Sequence, residues 1–256
     1  MGHLPPDKIL APSNHRDWIP SQTVLAKASL DGDKATIRNV RNCEYVTEED
    51  IIPRYYDQTY DLKKLESVDF IVVPFNKAPA LAHTMLSFGF GDGKYLVASA
   101  EARLEKGETY SPLAGSARQY ELMYVLADER DVIRLRTEIR DAEVYIYRST
   151  ATPEQARELL VDILDRANHL AKEPEFYDTL TNNCTSNIVR HVNHLFPGKI
   201  PNDYRVLLPG FSPQLAYENG LIDRSLPFEE LQKKALINEL AHRHQDSPDF
   251  STKIRR

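Results

Sequence analysis

Two apolar segments on either side of a glycine-rich turn constrain the fold of this chain more than any other feature. Residues 81–90 and 94–101 flank a Gly-Asp-Gly triplet, which favours a tight turn between antiparallel strands. A three-residue turn sets His83 opposite Glu101. A register shifted by one residue moves Glu101 to the other face of the hairpin, so the sequence leaves both registers open.

The remaining segments predict an α+β protein. Strands are expected at residues 24–29, 35–40, 68–74, 120–126, 132–136 and 144–148, with a polar, tyrosine-rich connector before residue 60. The period then becomes helical over residues 152–170, behind a capping box with proline at the first helical position. These features predict an antiparallel sheet of about six strands packed against helices from the C-terminal half.

The composition and the first residues of the sequence limit the functions that are possible. A net charge of -6 argues against a nucleic-acid partner. No run approaches the ~20 apolar residues of a membrane span, and the first residues lack the features of a secretory signal. We therefore expect either a cytosolic chain or one from which an export or anchor segment is missing. Two cysteines permit at most one disulfide, and neither a metal nor another cofactor is expected.

Three parts are predicted along the chain. Residues 1–22 are rich in Pro, Asn, His and Asp and predict an irregular N-terminal arm. Residues 23–224 are expected to form the catalytic domain. Residues 225–256 begin with a charged amphipathic segment and predict a helical C-terminal extension.

A single cysteine follows the polar run at residues 177–183. Asn183 is a good N-cap residue, so Cys184 is predicted in the first turn of the helix that follows. Backbone N–H groups and the helix dipole there favour a thiolate, which is the nucleophilic form of sulfur. A small buried hydrophobe at a helix start is the alternative interpretation, and position alone does not decide between them.

A thiol nucleophile needs a base and a group that orients the base. His191 and His194 lie two to three turns along the cysteine helix, more than ~10 Å of rise away, and are predicted on a solvated helix face. His83, within an apolar strand, is either a satisfied core histidine or the base. With Glu101 on the partner strand, His83 and Cys184 form a papain-like thiol constellation. The Cys184 N–H, with Asn182 or Asn183, is expected to hold the oxyanion.

Several motifs together resemble one bacterial family. They occupy residues 39–42, 60–62 with 65–69, 82–90, 118–122, 180–187 and 207–210. Over residues 16–223 the chain resembles the Lnb N-terminal periplasmic domain family. The resemblance implies a permuted papain-like fold related to lecithin–retinol acyltransferase, with the histidine ahead of the cysteine. The sequence differs from the family pattern at Cys43, where an aromatic residue is expected. It also differs in lacking the membrane segment that many relatives have.

The resemblance also implies an activity. Characterised relatives are lipoprotein transacylases, which move an acyl chain onto a lipoprotein's N-terminal amine through a thioester and leave a lyso-form lipoprotein. Carried over, Cys184 is the acylated nucleophile and His83 the base, while Glu101 as orienting group follows from register. Arg41, in the first motif, is a candidate substrate-binding residue. The implied partners are a diacylated lipoprotein or phospholipid-like acyl donor and a membrane surface, at the periplasmic face of the inner membrane.

Two other functions stay open. The same constellation serves a thiol amidase or peptidase acting on peptide or peptidoglycan, and a non-catalytic lipoprotein-binding module needs no reactive thiol. The loop at residues 206–211 is either the apolar wall of a lipid groove or ordinary core packing. A long apolar channel at Cys184 favours a lipid substrate, whereas an open polar cleft favours a peptide.

Overall fold

The computed structural model describes residues 11–48 and 50–255, which form an α+β structure. The prediction of an antiparallel-dominated sheet packed against helices is confirmed. The strands are β1 (Lys27–Asp31), β2 (Lys34–Arg41), β3 (Glu44–Tyr45), β4 (Ile51–Ile52), β5 (Tyr55–Asp61), β6 (Leu65–Phe75), β7 (Ala78–Phe90), β8 (Tyr95–Arg103), β9 (Glu121–Asp128) and β10 (Tyr145–Arg148). The helices are α1 (Pro112–Ser116), α2 (Glu129–Arg134), α3 (Pro153–Lys172), α4 (Cys184–Leu195), α5 (Ser212–Glu218), α6 (Phe228–Ala235), α7 (Asn238–His244) and α8 (Phe250–Lys253).

The main sheet is larger than predicted. Within the described residues, eight strands join it in the order β1-β2-β9-β8-β7-β6-β10, with β5 paired to β2. All of these pairs are antiparallel except β2–β9, which meet in parallel at Arg41 and Ala127. The tyrosine-rich connector supplies β5, because aromatic side chains suit a pleated, half-buried surface.

The predicted strand at residues 132–136 is wrong. The Asp128 carboxylate accepts the N–H of Arg130 and caps α2, which continues into a π-helical turn at Leu135–Ile139. The alternating Val-Ile-Arg-Leu-Arg sequence is typical of a strand. The cap, together with Glu129 and Asp131 in the first turn, instead starts a helix.

Helices cover both faces of the sheet. On one face, which we call the α3/α4 face, Phe88 and Leu126 pack in a core with Leu160 of α3. On the other, the α2/α8 face, Met85 and Val97 pack in a core with residues of α2, α7 and α8. Because successive side chains of a strand alternate, even-numbered residues of β7 lie on the α3/α4 face and odd-numbered ones on the α2/α8 face.

The first and last parts of the described chain pack on this sheet. Residues 1–10 of the predicted N-terminal arm lie outside the described residues, and beyond them Trp18 is buried with the Arg103 guanidinium 4.1 Å from its ring centre. The C-terminal segment is helical, and Phe250 and Ile254 enter the core of the α2/α8 face. Residues 250–254 therefore contribute to the same core as the sheet.

Candidate thiol site and the histidine cluster

Cys184 is the first residue of α4, and the predicted Asn183 cap is confirmed. The Asn183 side chain accepts the N–H of Ser186, and the Ser186 hydroxyl accepts the N–H of Asn183, which completes a capping box. Among the described residues, the N–H groups of Cys184 and Thr185 have no hydrogen-bond partner. These two groups and the helix dipole create a position beside the sulfur that favours an anion.

The Cys184 thiol lies against β7. Its Sγ is 3.9 Å from the carbonyl oxygen of Ala82 and 3.8 Å from the Thr185 hydroxyl. The Thr185 hydroxyl is in turn 3.0 Å from that of Thr84. The N-terminus of α4 is therefore held at the two residues that flank His83.

Strands β7 and β8 separate at the level of this thiol. Their ladder ends at Leu86 and Ala98, although β7 stays paired with β6 and β8 with β9 beyond that point. The paired part has the register that sets His83 opposite Glu101, as the three-residue turn predicts. These two residues therefore face each other across an opening in the sheet.

His83 and Glu101 are joined through a third side chain, Ser99. Nε2 of His83 is 2.7 Å from Ser99 Oγ, and the hydroxyl donates to Glu101 Oε1 at 3.0 Å, while the direct Nε2–Oε1 distance is 3.7 Å. His83 occupies an odd-numbered position of β7 and so lies on the α2/α8 face, opposite to Thr84 and α4. Among the described contacts, the thiol and the ring form no hydrogen bond.

Two arginines complete what we call the histidine cluster (His83, Ser99, Glu101, Arg41 and Arg136). Arg41 Nη1 lies 3.9 Å and Arg136 Nη2 3.6 Å from the Glu101 carboxylate. Burial raises the pKa of Glu101, but the charges of Arg41, His83 and Arg136 outweigh it and hold the pKa at about 2. Burial and the Arg136 charge lower the pKa of His83 to about 3, against the opposing charge of Glu101. At neutral pH the cluster therefore pairs an ionised carboxylate with a neutral imidazole.

The two predicted oxyanion asparagines use their amides to build the loop before α4. The Asn183 amide nitrogen donates to the Thr179 carbonyl at 2.6 Å while its oxygen caps the helix. The Asn182 amide donates to the Phe176 carbonyl at 2.9 Å and accepts from Asn187 at 3.1 Å. Both amides are thus engaged within the loop, and the unpaired N–H groups at the sulfur are those of the first helical turn.

Arg41 is 4% exposed and donates to Asp131 Oδ1 at 2.8 and 3.1 Å, so it lies in the histidine cluster rather than at the thiol. Sequence reasoning missed Ser99, Asp131 and Arg136. The sequence does contain a signal for Ser99. Ser99 precedes Glu101 by two residues, so the two side chains share one face of the strand. Asp131 and Arg136 were hidden by the incorrect strand assignment at residues 132–136.

His191 is a core residue of α4. Its Nδ1 is 2.6 Å from Asp162 and its Nε2 is 2.7 Å from the Tyr124 hydroxyl, and the side chain is buried. The predicted solvated face is therefore wrong for His191, whereas the side chain of His194 remains exposed. Both ring nitrogens of His191 are satisfied, which is typical of a structural histidine.

The 206–211 loop packs on β7, the strand that the Cys184 thiol also contacts. Gly210 sits so close to β7 that a Cβ there would be 1.9 Å from the Pro79 carbonyl oxygen, which fixes the 206–211 loop at the first residues of this strand. Leu207 and Phe211 of the loop remain 49% and 43% exposed. Burial raises the pKa of Tyr177, and charge on Cys184 adds to this effect, so the Tyr177 hydroxyl and the thiol interact electrostatically.

Other features of the described part lie outside this site. Residues 11–48 and 50–255 contain no group of three side chains that could hold a metal ion. None of the described helices is long and apolar enough to cross a bilayer. A cavity of about 210 Å³ is lined by residues of β5, β8 and the C-terminal segment, and none of the predicted site residues lines it.

Fold and site together define an α+β domain with a buried thiol at a helix N-terminus, beside a strand histidine and its acidic partner. The family model described as Lnb N-terminal periplasmic domain matches residues 52–210, more than half of the chain. The chain belongs to this family, as its motifs predicted, and the family description is consistent with an extracytoplasmic location. No curated protein and no solved structure gives a significant match. The matched range includes His83, Glu101 and Cys184 but not Arg41.

Proposed function

We propose that the chain is a thiol-dependent acyltransferase with a permuted papain-like fold, acting through a thioester on Cys184. One observation carries the proposal: the N-terminus of α4 sits on Ala82 and Thr84, where β7 and β8 separate and His83 is linked to an acid. A helix N-terminus activates a thiol, and a histidine backed by an acid supplies a base. The buried histidine of α4 is excluded as the base because Asp162 and Tyr124 engage both of its nitrogens.

The reaction begins with transfer of the thiol proton to His83. Nδ1 is the ring nitrogen nearer the backbone, and the sulfur lies at the carbonyl that precedes His83. The proposed step requires the Cys184 side chain to rotate towards the opening between β7 and β8, so that sulfur and nitrogen meet there. Catalytic hydrogen bonds are often absent or long before substrate binds, so the resting geometry is compatible with this step.

The thiolate then attacks an ester carbonyl, and the N–H groups of Cys184 and Thr185 stabilise the oxyanion. The C–O bond breaks, His83 returns the proton to the leaving alkoxide, and a thioester remains on Cys184. An amine attacks the thioester, the C–S bond breaks, and His83 passes the proton of the amine to the departing thiolate. The products are an amide and the regenerated thiol.

The substrate we propose is a diacylated lipoprotein, whose N-terminal amine receives the acyl chain, with a phospholipid-like lipid as the other possible donor. The family resemblance and the exposed Leu207 and Phe211 beside β7 support a lipid substrate presented at a membrane surface. A thiol amidase needs the same catalytic groups but a peptide substrate. A binding module without catalysis needs none of them, and the low exposure of the thiol, 6%, is the observation that favours it.

Incubation with a synthetic diacylated lipopeptide, followed by intact-mass measurement of the protein and tandem mass spectrometry of the peptide, separates these functions, because an acyl group that moves within one lipopeptide leaves the total mass unchanged. We expect an acyl adduct on the wild-type protein and a lipopeptide whose acyl group has moved to the amine. Cys43→Ser, which removes the other buried thiol, should retain both signals, and Cys184→Ala should lose both. Neither signal with the wild-type protein would contradict acyl transfer, and cleavage of a peptide bond would identify an amidase.

Alkylation provides a second test that needs no substrate. Burial and the neighbouring Asp131 raise the pKa of the Cys43 thiol, so Cys43 should react slowly with iodoacetamide at neutral pH. Cys184, at a helix N-terminus, should react first, as followed by peptide mass spectrometry. Equal or slower alkylation of Cys184 would favour the binding module.

A further inference from the structure

Ser99 lies between the two groups that the proposed mechanism uses as base and acid. It is 1% exposed, so its hydroxyl is not available to a substrate, and its recorded partners are the His83 ring and Glu101. A buried hydroxyl has one proton to donate and lone pairs to accept with. The direction of its two hydrogen bonds therefore depends on which neighbour can donate.

Glu101 fixes that direction. Its carboxylate lies 3.9 Å from Arg41 and 3.6 Å from Arg136, and it remains ionised at neutral pH. An ionised carboxylate only accepts hydrogen bonds, so the Ser99 proton points to Glu101. The Ser99 oxygen must then accept from the histidine, which places the ring proton on Nε2.

We infer that Ser99 is a positioning residue that relays the charge of Glu101 to His83, holding the ring proton on Nε2 and leaving the Nδ1 lone pair free as the base. The catalytic consequence rests on the proposed function, whereas the position of the proton does not. The arrangement explains why the acid needs no direct bond to the ring, since the Nε2–Oε1 distance is 3.7 Å.

The charged groups around the ring keep it neutral. Arg136 faces it from the π-helical turn and Arg140 from the residue after that turn, while Arg41 lies on β2 and Glu101 on β8. Burial and the three cations disfavour the imidazolium, and Glu101 opposes them. A neutral ring has one proton to place, so a partner that accepts at Nε2 decides which nitrogen can act as a base.

Nitrogen-15 chemical shifts of labelled histidine in the full chain test the relay directly, because they report which ring nitrogen carries the proton. We expect a protonated Nε2 and a bare Nδ1 for His83 at neutral pH, and intermediate shifts in Ser99→Ala. Ser99→Thr, which keeps the hydroxyl and suits a strand, should restore the wild-type shifts. A wild-type ring protonated on Nδ1 would overturn the relay.

Acyl transfer from the lipopeptide supplies the functional readout. Ser99→Ala should lower kcat/KM about tenfold to hundredfold, because the base remains but is no longer oriented, and this loss is part of the total effect of a general base. Ser99→Thr should stay within about fivefold of wild type. Ser87→Ala is the matched control, because Ser87 is a buried serine on the same face that donates to a different glutamate, Glu129. Equal losses in Ser99→Ala and Ser87→Ala would reduce Ser99 to a structural role. A wild-type protein with Nε2 protonated and no acyl transfer would refute the proposed function and leave the relay standing.

Discussion

Two buried clusters on the α2/α8 face combine serine, glutamate and arginine, and they are built differently. In the C-terminal cluster (Ser87, Glu129, Asp69 and Arg255), Arg255 donates to both Glu129 oxygens at 2.5 and 2.8 Å and to Asp69 at 2.7 Å. Ser87 donates to Glu129 at 2.5 Å, and the guanidinium lies 4.1 Å from the Tyr95 ring centre. Each oxygen of Glu129 therefore has a direct donor.

The histidine cluster is looser. Its two arginines lie 3.6 and 3.9 Å from Glu101, distances of ionic contact rather than of hydrogen bonds. They keep the carboxylate charged, and its hydrogen bond comes from Ser99. The direct bonds of Arg255 in the C-terminal cluster hold the C-terminal segment on the sheet, whereas the histidine cluster leaves a carboxylate that can act on a histidine.

The largest expected effect is on stability, from Arg255→Met. This change leaves the buried Glu129 without its cation and Asp69 with only Arg148, at 2.7 Å, and breaking a buried pair typically costs roughly 3–5 kcal/mol. Urea unfolding followed by circular dichroism measures the loss. Arg243→Met, which removes an exposed helical pair with Glu239, should cost at most about 0.5 kcal/mol. A loss below about 1 kcal/mol for Arg255→Met would show that the C-terminal cluster does not hold the fold.

Exchanging each glutamate for glutamine sharpens the contrast. Glu101→Gln should lower acyl transfer about tenfold to hundredfold, because the relay loses its charge, with a loss of stability near 1 kcal/mol. Glu129→Gln should do the reverse, costing about 2–3 kcal/mol and leaving the activity of the folded protein within a few fold. The lipopeptide assay and urea unfolding of the same samples give both numbers. Parallel changes in the two variants would remove the distinction between the clusters.

Local signals in the sequence were enough to predict much of the fold. The Gly-Asp-Gly turn predicted the β7–β8 register, and the cap residues Thr152 and Asn183 predicted the starts of α3 and α4. These features depend on neighbours along the chain. The helix after Asp128 was predicted as a strand because an amphipathic alternation over five residues fits a strand as well as a buried helix turn, and the Asp128 cap four residues earlier decides between them.

The candidate site was predictable only in part. Cys184 and His83 stand out by position and by exclusion of other histidines, and the structure places them at one opening but on opposite faces. Whether a strand residue faces one layer or the other depends on where the helices pack, which no local pattern gives. The contacts of Arg136 and Arg41 with Glu101 join segments distant in sequence, so they emerge only from the assembled sheet.

The smallest expected effect is a difference between the two clusters in how the free energy of unfolding depends on pH. The pKa of His83 is about 3 in the folded protein against 6.5 in the unfolded chain, so the unfolded state binds more protons between these values and stability falls as the pH drops through this window. Glu101 and Glu129, whose pKa values are lowered from 4.5, act in the same direction but only below about pH 4.5.

Between pH 6.5 and 4.5, therefore, the unfolded chain takes up a proton at His83 that the folded protein does not, while Glu101 and Glu129 keep their charge. As the pH falls from 6.5 to 4.5, the free energy of unfolding of His83→Gln should decrease by about 2 kcal/mol less than that of the wild type. Urea titrations at several pH values measure this difference. His191, whose pKa is also lowered by burial, contributes equally to both proteins and cancels. His194→Gln, at an exposed side chain, serves as control. Identical slopes for His83→Gln and the wild type would mean that water reaches the ring freely, and the histidine cluster would then not differ from an ordinary surface group.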